Sequence, residues 1–419
     1  MFASNICDMK KTIIAIILFT GIHLFSMAQV FDVEQIRKDV EYLADDRLQG
    51  RETGTKGEVK AAKYIAKRFK KLGIQAKGDD SYYQFFSFKP RPENPHQKVD
   101  TDTIDPIEGR NVVAYINNDA AQTVVIGAHY DHLGWGGEGS LHSSGEKAIH
   151  NGADDNASGV AAMIAIAEAL KDGPSSNNYL FIAFSGEEKG LWGSNYYSKN
   201  ATIPVDNMNY MINMDMVGRL NEENTLAING TGTSPVWKDL ISGHEMKKDM
   251  KVVESASGIG PSDHTSFYLQ DIPVLHFFTG QHEDYHKPSD DADKVNYEGI
   301  TEVATYIYKL IEEADDNGKL AFSKTKEEDN KNAPRFKVTL GVVPDYLFDG
   351  EGMRIDGVRK NKPAQKAGLL KGDVVIQLGD IKVKNMMSYM KALANFEEGQ
   401  KTTVKVLRGE EEIEKELQF

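Results

Sequence analysis

The run Val124-Val125-Ile126-Gly127-Ala128-His129-Tyr130-Asp131-His132 passes from small and apolar residues straight into a cluster of ionisable ones. The first five residues read as a strand, and the polar cluster begins where that strand ends. Val112 to Ile116 precedes it as another strand. Downstream, Gly159 to Leu170 reads as a buried helix, Tyr179 to Phe184 as a strand, and Leu191 to Tyr197 as a helix. Strands at Tyr210 to Met214 and Pro273 to Phe277 follow, then a long helix from Tyr297 to Glu313. Two amphipathic helices, Val33 to Ala44 and Lys56 to Leu72, stand in front, joined by a Gly- and charge-rich turn. Strand and helix in alternation indicate an α/β fold, a mostly parallel central sheet with helices on both faces.

The pattern breaks at Asn317. Residues 317–334 are rich in Lys and Glu and contain little to bury, so they read as a linker. Beyond them come short strands, at Phe336 to Leu340, Met353 to Val358, Val374 to Leu378 and Thr403 to Leu407, with one helix near Met387 to Ala394. This is a small β-rich domain of its own. The expected division is therefore 1–28, 29–316, 317–334 and 335–419. With 419 residues, more than one hydrophobic core is also the expectation from length.

Residues 1–28 have the build of a signal peptide: Met9-Lys10-Lys11, an apolar run from Thr12 to Phe25, and small residues at Ser26 and Ala28 before Gln29. The run is too short to span a bilayer comfortably, so the expected protein is exported, periplasmic or secreted, with no stable membrane span after signal removal. The only cysteine, Cys7, lies in that segment. The remainder has neither a disulfide nor a thiolate, so any metal must be held by His and carboxylates. With 63 acidic against 49 basic residues, the formal charge of −14 disfavours nucleic acid as a partner.

Four ionisable clusters fall just past strand ends, the edge at which open α/β sheets bind ligands. These are His129-Tyr130-Asp131-His132, Asn151 to Gly159, Ser185-Gly186-Glu187-Glu188 and Asn213-Met214-Asp215. His286 completes a His/Asp/Glu set of the kind that suits zinc with an open position. Two such ions about 3.5–4 Å apart require a bridging carboxylate, and an adjacent acid can act as general base. Taken singly, His132, His142, His150, His264 and His276 read as loop or core histidines, and no metal is assigned to them. Asp154 reads as a turn residue. Trp135, Trp192 and Tyr285 are candidates for a substrate pocket or for plain packing.

In this order, Gly127 to His132, Asn151 to Gly159, Ser185 to Ser194, Asn213-Met214-Asp215 and Pro261-Ser262-Asp263-His264 resemble metallopeptidase family twenty-eight, which contains the bacterial double-zinc aminopeptidases. The resemblance implies two zinc ions per chain, bridged by Asp155. Glu188 and His286 would hold one, and His129 and Asp215 the other. His286 is preferred to nearby His282 because an acidic cluster follows it. Glu187 would be the general base, and Asp131 would accept the free ring N–H of His129, with Asp263 doing likewise for His286. A cis peptide between Asp155 and Asn156 also belongs to the pattern. The implied substrates are peptides with a free N-terminus.

The C-terminal segment resembles a PDZ domain, most specifically through Ala367-Gly368-Leu369 followed by Gly372-Asp373-Val374. That implies a peptide or protein C-terminus bound as an added strand, its carboxylate at Leu340, Gly341 and Val342. Two other functions fit the same sequence: a glutaminyl cyclase of the same fold, and a catalytically silent PDZ adaptor.

Overall fold

The computed structural model describes residues 31–89, 105–137, 139–142, 146–244, 246, 249–325, 338–345, 348, 350–359, 361–384 and 386–419. The expected signal peptide and half of the expected linker, residues 326–334, lie outside them.

The larger unit is built on nine strands: β1 (Gln75–Ala76), β2 (Tyr83–Phe88), β3 (Ile107–Ile116), β4 (Thr123–His129), β5 (Asn178–Phe184), β6 (Met208–Met214), β7 (Thr225–Asn229), β8 (Lys251–Ser255) and β9 (Val274–Phe278). They run in the order β1-β3-β5-β4-β6-β9-β7-β8, with β2 also paired to β3. The parallel part is the centre, where β5, β4, β6 and β9 lie side by side. On one side β3 pairs antiparallel with β5 and carries β1 and β2, each antiparallel to β3, and on the other β7 pairs antiparallel with β9. Of these strands, β1, β2, β7 and β8 were not anticipated from sequence.

Strand alternation divides the interior in two. Tyr179, Phe181 and Ala183 of β5 enter one core, while Leu180, Ile182 and Phe184 enter the other. The larger core receives helices α1 (Val33–Leu43), α2 (Lys56–Lys71), α3 (Gly159–Leu170), α5 (Pro235–Gly243) and α7 (Tyr297–Ala314). The smaller lies under α4 (Trp192–Lys199) and α6 (His264–Tyr268). A sheet covered on both faces explains why its central strands are apolar throughout. Gly127 in β4 is required by closeness: a Cβ there would sit 2.5 Å from the Phe184 ring.

After α7 the chain stays docked on the larger unit. Leu320 is buried, the Ser323 N–H donates to the Thr233 carbonyl, and the Thr325 N–H donates to the Tyr268 hydroxyl.

The smaller unit is an antiparallel sheet of β10 (Val342–Pro344), β11 (Met353–Val358), β12 (Val374–Leu378), β14 (Lys401–Arg408) and β15 (Glu411–Gln418), with β13 (Ile381–Lys382) on β12. Helices α8 (Pro363–Lys366) and α9 (Met386–Leu393) complete it. Its core gathers Leu340, Ile355, Leu369, Val375, Leu378, Val404 and Val406. The strand expected at Phe336 to Leu340 is not seen at 338–340, where Leu340 instead enters the core as coil; pairing begins at Val342.

Candidate metal centre

Because β5, β4, β6 and β9 are parallel neighbours, their carboxyl ends open onto one edge, and the polar residues that follow them meet there. His129 is the last residue of β4, Glu187 and Glu188 follow β5, Asp215 follows β6, and the loop after β9 brings in His286. Asp155 reaches the same place from the turn before α3, and its peptide bond to Asn156 is cis.

Asp155 stands between two groups. Its Oδ1 lies 3.3 Å from His129 Nε2, which is 3.2 Å from Asp215 Oδ1. Its Oδ2 lies 3.2 Å from His286 Nε2, which in turn is 3.4 Å from Glu188 Oε2. The two oxygens of one carboxylate thus serve two separate clusters. His282 faces elsewhere, its Nε2 3.1 Å from Asp154 Oδ2, so the loop presents His286 to the centre.

Two orienting roles differ from expectation. The Nδ1 of His129 is 3.2 Å from the main-chain carbonyl of Asp131 but 3.9 Å from its carboxylate. That carboxylate accepts instead from the Thr53 hydroxyl and the Glu187 N–H, since the turn of the loop points it toward the strand β5 exit. His286 Nδ1 lies 2.8 Å from the Gly139 carbonyl, which takes the place expected for Asp263. Asp263 sits at the start of α6, fully buried, where burial pushes its carboxyl up to about 7.

The electrostatics call for cations. Burial pushes Asp155 up, but the rings of His129, His132 and His286 outweigh it and hold the carboxyl well below its usual range. Burial lowers His286, and Glu188 and Asp155 more than reverse that, raising it to about 9. Glu187 is pushed well up by burial and by the carboxylates of Asp215, Glu188 and Asp263, with His129 opposing. Without a metal, protonated imidazoles must supply the compensating charge. Ligand-type atoms of His129, Asp155 and Asp215, and of His132, Asp155 and Glu188, lie within 4.8 Å of one another in each group. Imidazole and carboxylate oxygen, buried and convergent, are a donor set that zinc accepts.

Sequence reading assigned His132 no part in this, yet its Nδ1 is 2.7 Å from Glu188 Oε1. The signal was its spacing, three residues after His129 in the same loop. Arg51 was missed as well. It is fully buried, and its guanidinium donates to the carbonyls of Leu43, Tyr130, Asn151 and Gly152, tying together the loops that carry His132 and Asp155. Nothing in the charged turn from Arg47 to Gly57 marks one arginine as internal.

An open pocket of about 80 Å³ leads to the centre, walled by Met216, Phe278 and Tyr285. Tyr285 was a candidate for that wall. Trp135 is exposed, and Trp192 stacks on Phe88. In the smaller unit Leu340 is buried, Gly341 adopts φ 76°, and Val342 pairs with Val358; the Gly341 N–H donates to the Thr339 hydroxyl. Among the described residues no helix is long and apolar enough to cross a membrane.

An α/β sheet with a buried His/carboxylate centre at its carboxyl edge is the build of a metal-site hydrolase. More particularly, residues 111–311 match Peptidase family M28 and residues 321–418 match the PDZ domain family, so the chain joins an M28 peptidase domain to a PDZ domain. The chain is 29% identical over 203 residues to the aminopeptidase YwaD of Bacillus subtilis, an alignment covering 46% of this chain and 41% of that relative. It therefore spans about two-fifths of that relative's length. Its fold is similar to that of a zinc aminopeptidase from Bacillus subtilis, with a TM-score of 0.55 at 18% identity, over 71% of this chain and 97% of that one. It is equally similar to the glutaminyl cyclase of Porphyromonas gingivalis, with a TM-score of 0.56 at 15% identity, over 68% and 99%.

Proposed function

We propose that the chain is an exported aminopeptidase that holds two zinc ions and removes residues from peptides with a free N-terminus. The observation that carries this is the placement of Asp155, one oxygen toward His129 and Asp215, the other toward His286 and Glu188, with Glu187 alongside. His129 and Asp215 would hold one ion, His286 and Glu188 the other, and Asp155 both. When bound, zinc supplies Lewis-acid polarisation of the scissile carbonyl and lowers the pKa of water.

Glu187 takes a proton from the attacking water at its carboxylate and delivers it to the leaving amine nitrogen. A carboxyl pushed upward by its surroundings suits that exchange better than an ordinary one. Asp131 positions it by accepting the Glu187 main-chain N–H. Met216, Phe278 and Tyr285 form an apolar wall suited to a hydrophobic side chain at the cleaved residue. The two full clusters favour a peptidase over a cyclase using one zinc. The PDZ unit takes a peptide or protein C-terminus along β10. Export rests on residues 1–28, and the exported protein would start at Gln29.

The test is mass spectrometry of peptides incubated with the zinc-loaded protein, comparing free with N-acetylated termini and including a Gln-first peptide. Stepwise shortening of free-amine peptides alone is expected. Loss of ammonia at constant length from the Gln-first peptide alone would make the chain a cyclase, and no change in any peptide would make it an adaptor. N-terminal sequencing of the protein from the exported fraction tests Gln29.

A further inference from the structure

His132 is fully buried three residues beyond His129, and its role is not accounted for by packing. Its Nδ1 approaches Glu188 Oε1 to 2.7 Å and Asp155 Oδ2 to 3.9 Å. At 2.7 Å an imidazole and a carboxylate would ordinarily share a hydrogen bond, in which the N–H points at the oxygen. Here neither His132 Nδ1 nor Glu188 Oε1 has a partner with hydrogen-bond geometry among the described residues. A nitrogen and an oxygen that are close but not aimed at each other are what two donors directed at a common third point look like. The ring is also held firmly in this attitude. Gly152, at φ 55°, leaves room that a Cβ would remove, since it would come within 2.5 Å of His132 Cδ2. Arg51 pins the carbonyls of both Tyr130, two residues before His132, and Gly152, whose Cα faces the ring.

We infer that His132 is a further metal ligand through Nδ1, joining Asp155, Glu188 and His286, so that the two metal positions are unequal. This rests on the two-zinc reading above. One position then has four protein residues and the other, at His129, Asp155 and Asp215, has three. Four protein ligands close a zinc site, whereas three leave a place for water or substrate. The open position is the one whose His129 and Asp215 charges act on Glu187. The chain thereby separates a closed ion, which fixes Asp155 and Glu188, from an open one, where the reaction takes place. With Nδ1 so used, Nε2 carries the ring proton and has no partner among the described residues. Without a metal both ring nitrogens stand unpaired among the described residues, and ligation through Nδ1 satisfies one of them.

The experiment uses the full chain stripped of metal, then titrated with zinc against a chromophoric chelator and separately with cobalt(II), whose visible absorption reports ligand number. The variants are His132→Ala and His132→Asn; the amide of Asn retains a donor for Glu188 but is a poor zinc ligand. The wild type is expected to bind two ions, the first at least tenfold more tightly. Both variants are expected to lose the tight step by tenfold or more and to alter the spectrum of the first cobalt equivalent, with circular dichroism verifying the fold. If His132→Asn instead titrates like the wild type, His132 only positions Glu188 and the inference is overturned. A wild type that binds fewer than two ions sinks the two-zinc reading itself.

Discussion

At the scale of single residues, the centre separates groups that react from groups that hold them. Glu187→Gln keeps size and backbone but cannot accept a proton, so peptide hydrolysis is expected to fall about 100- to 10,000-fold while zinc content is unchanged. Equal losses of activity and zinc would instead make Glu187 a ligand. Arg51 tests the frame. Replacing it with Met leaves the carbonyls of Leu43, Tyr130, Asn151 and Gly152 without their buried donor. An unsatisfied buried polar group costs about 1–3 kcal/mol, so urea denaturation should show a loss of at least about 3 kcal/mol. A loss below about 1 kcal/mol would show that water replaces the guanidinium at little cost. Of the proposed ligands, His129, Glu188 and Asp215 were legible because each stands at or just past the end of a strand with a strong apolar signature, whereas Asp155 and His286 were picked out through the family resemblance. His132 and Arg51 were not, because their roles depend on which atoms face them, and residue type alone does not carry that.

At the scale of elements, the central strands and long helices were readable from composition, since a strand covered on both faces must be apolar at every position. Gly127 shows how tight that layer is. Gly127→Ala places a methyl against Phe184 and Met211, and overpacking of this kind costs about 1–3 kcal/mol. A lowered melting temperature is expected, and an unchanged one would mean that the Phe184 ring swings aside freely. The strands that escaped reading are peripheral. β15 carries the run Glu-Glu-Ile-Glu-Lys-Glu-Leu-Gln and contributes Leu417 to the core, so its strand identity comes from pairing with β14 along its whole length. Lateral hydrogen bonding leaves no trace in hydrophobic pattern.

At the scale of the whole molecule, the two units offer separate handles. All three tryptophans, Trp135, Trp192 and Trp237, belong to the larger one, so their fluorescence follows it alone. Chelation is expected to lower its unfolding temperature, because an ion at a hundredfold excess over Kd contributes about 2.7 kcal/mol. No shift would mean that no tightly bound ion was present. The PDZ unit responds to acid instead. Burial pushes Asp373 up, but the Arg408 guanidinium and the Leu370 N–H outweigh it and hold the carboxyl below its ordinary 3.8. A depressed carboxylate stabilises the fold above its unfolded pKa and loses that contribution as pH falls through its folded value. Calorimetry should therefore show a stability gap between wild type and Asp373→Asn that is constant above about pH 5 and shrinks below it. A gap that widens in acid would reverse the assignment.

By itself, the sequence determined the α/β class, the order of the central elements and the residue types available to a metal. Each of these depends on local pattern: apolar period, turn chemistry and the absence of thiolates from all but one position. Tertiary structure alone decided that Asp155 faces two clusters, that the Asp131 carbonyl rather than its carboxylate meets His129, and that Gly139 rather than Asp263 meets His286. Those outcomes depend on sub-ångström differences in distance between segments as many as 147 residues apart, which only the assembled sheet and its packed loops bring together.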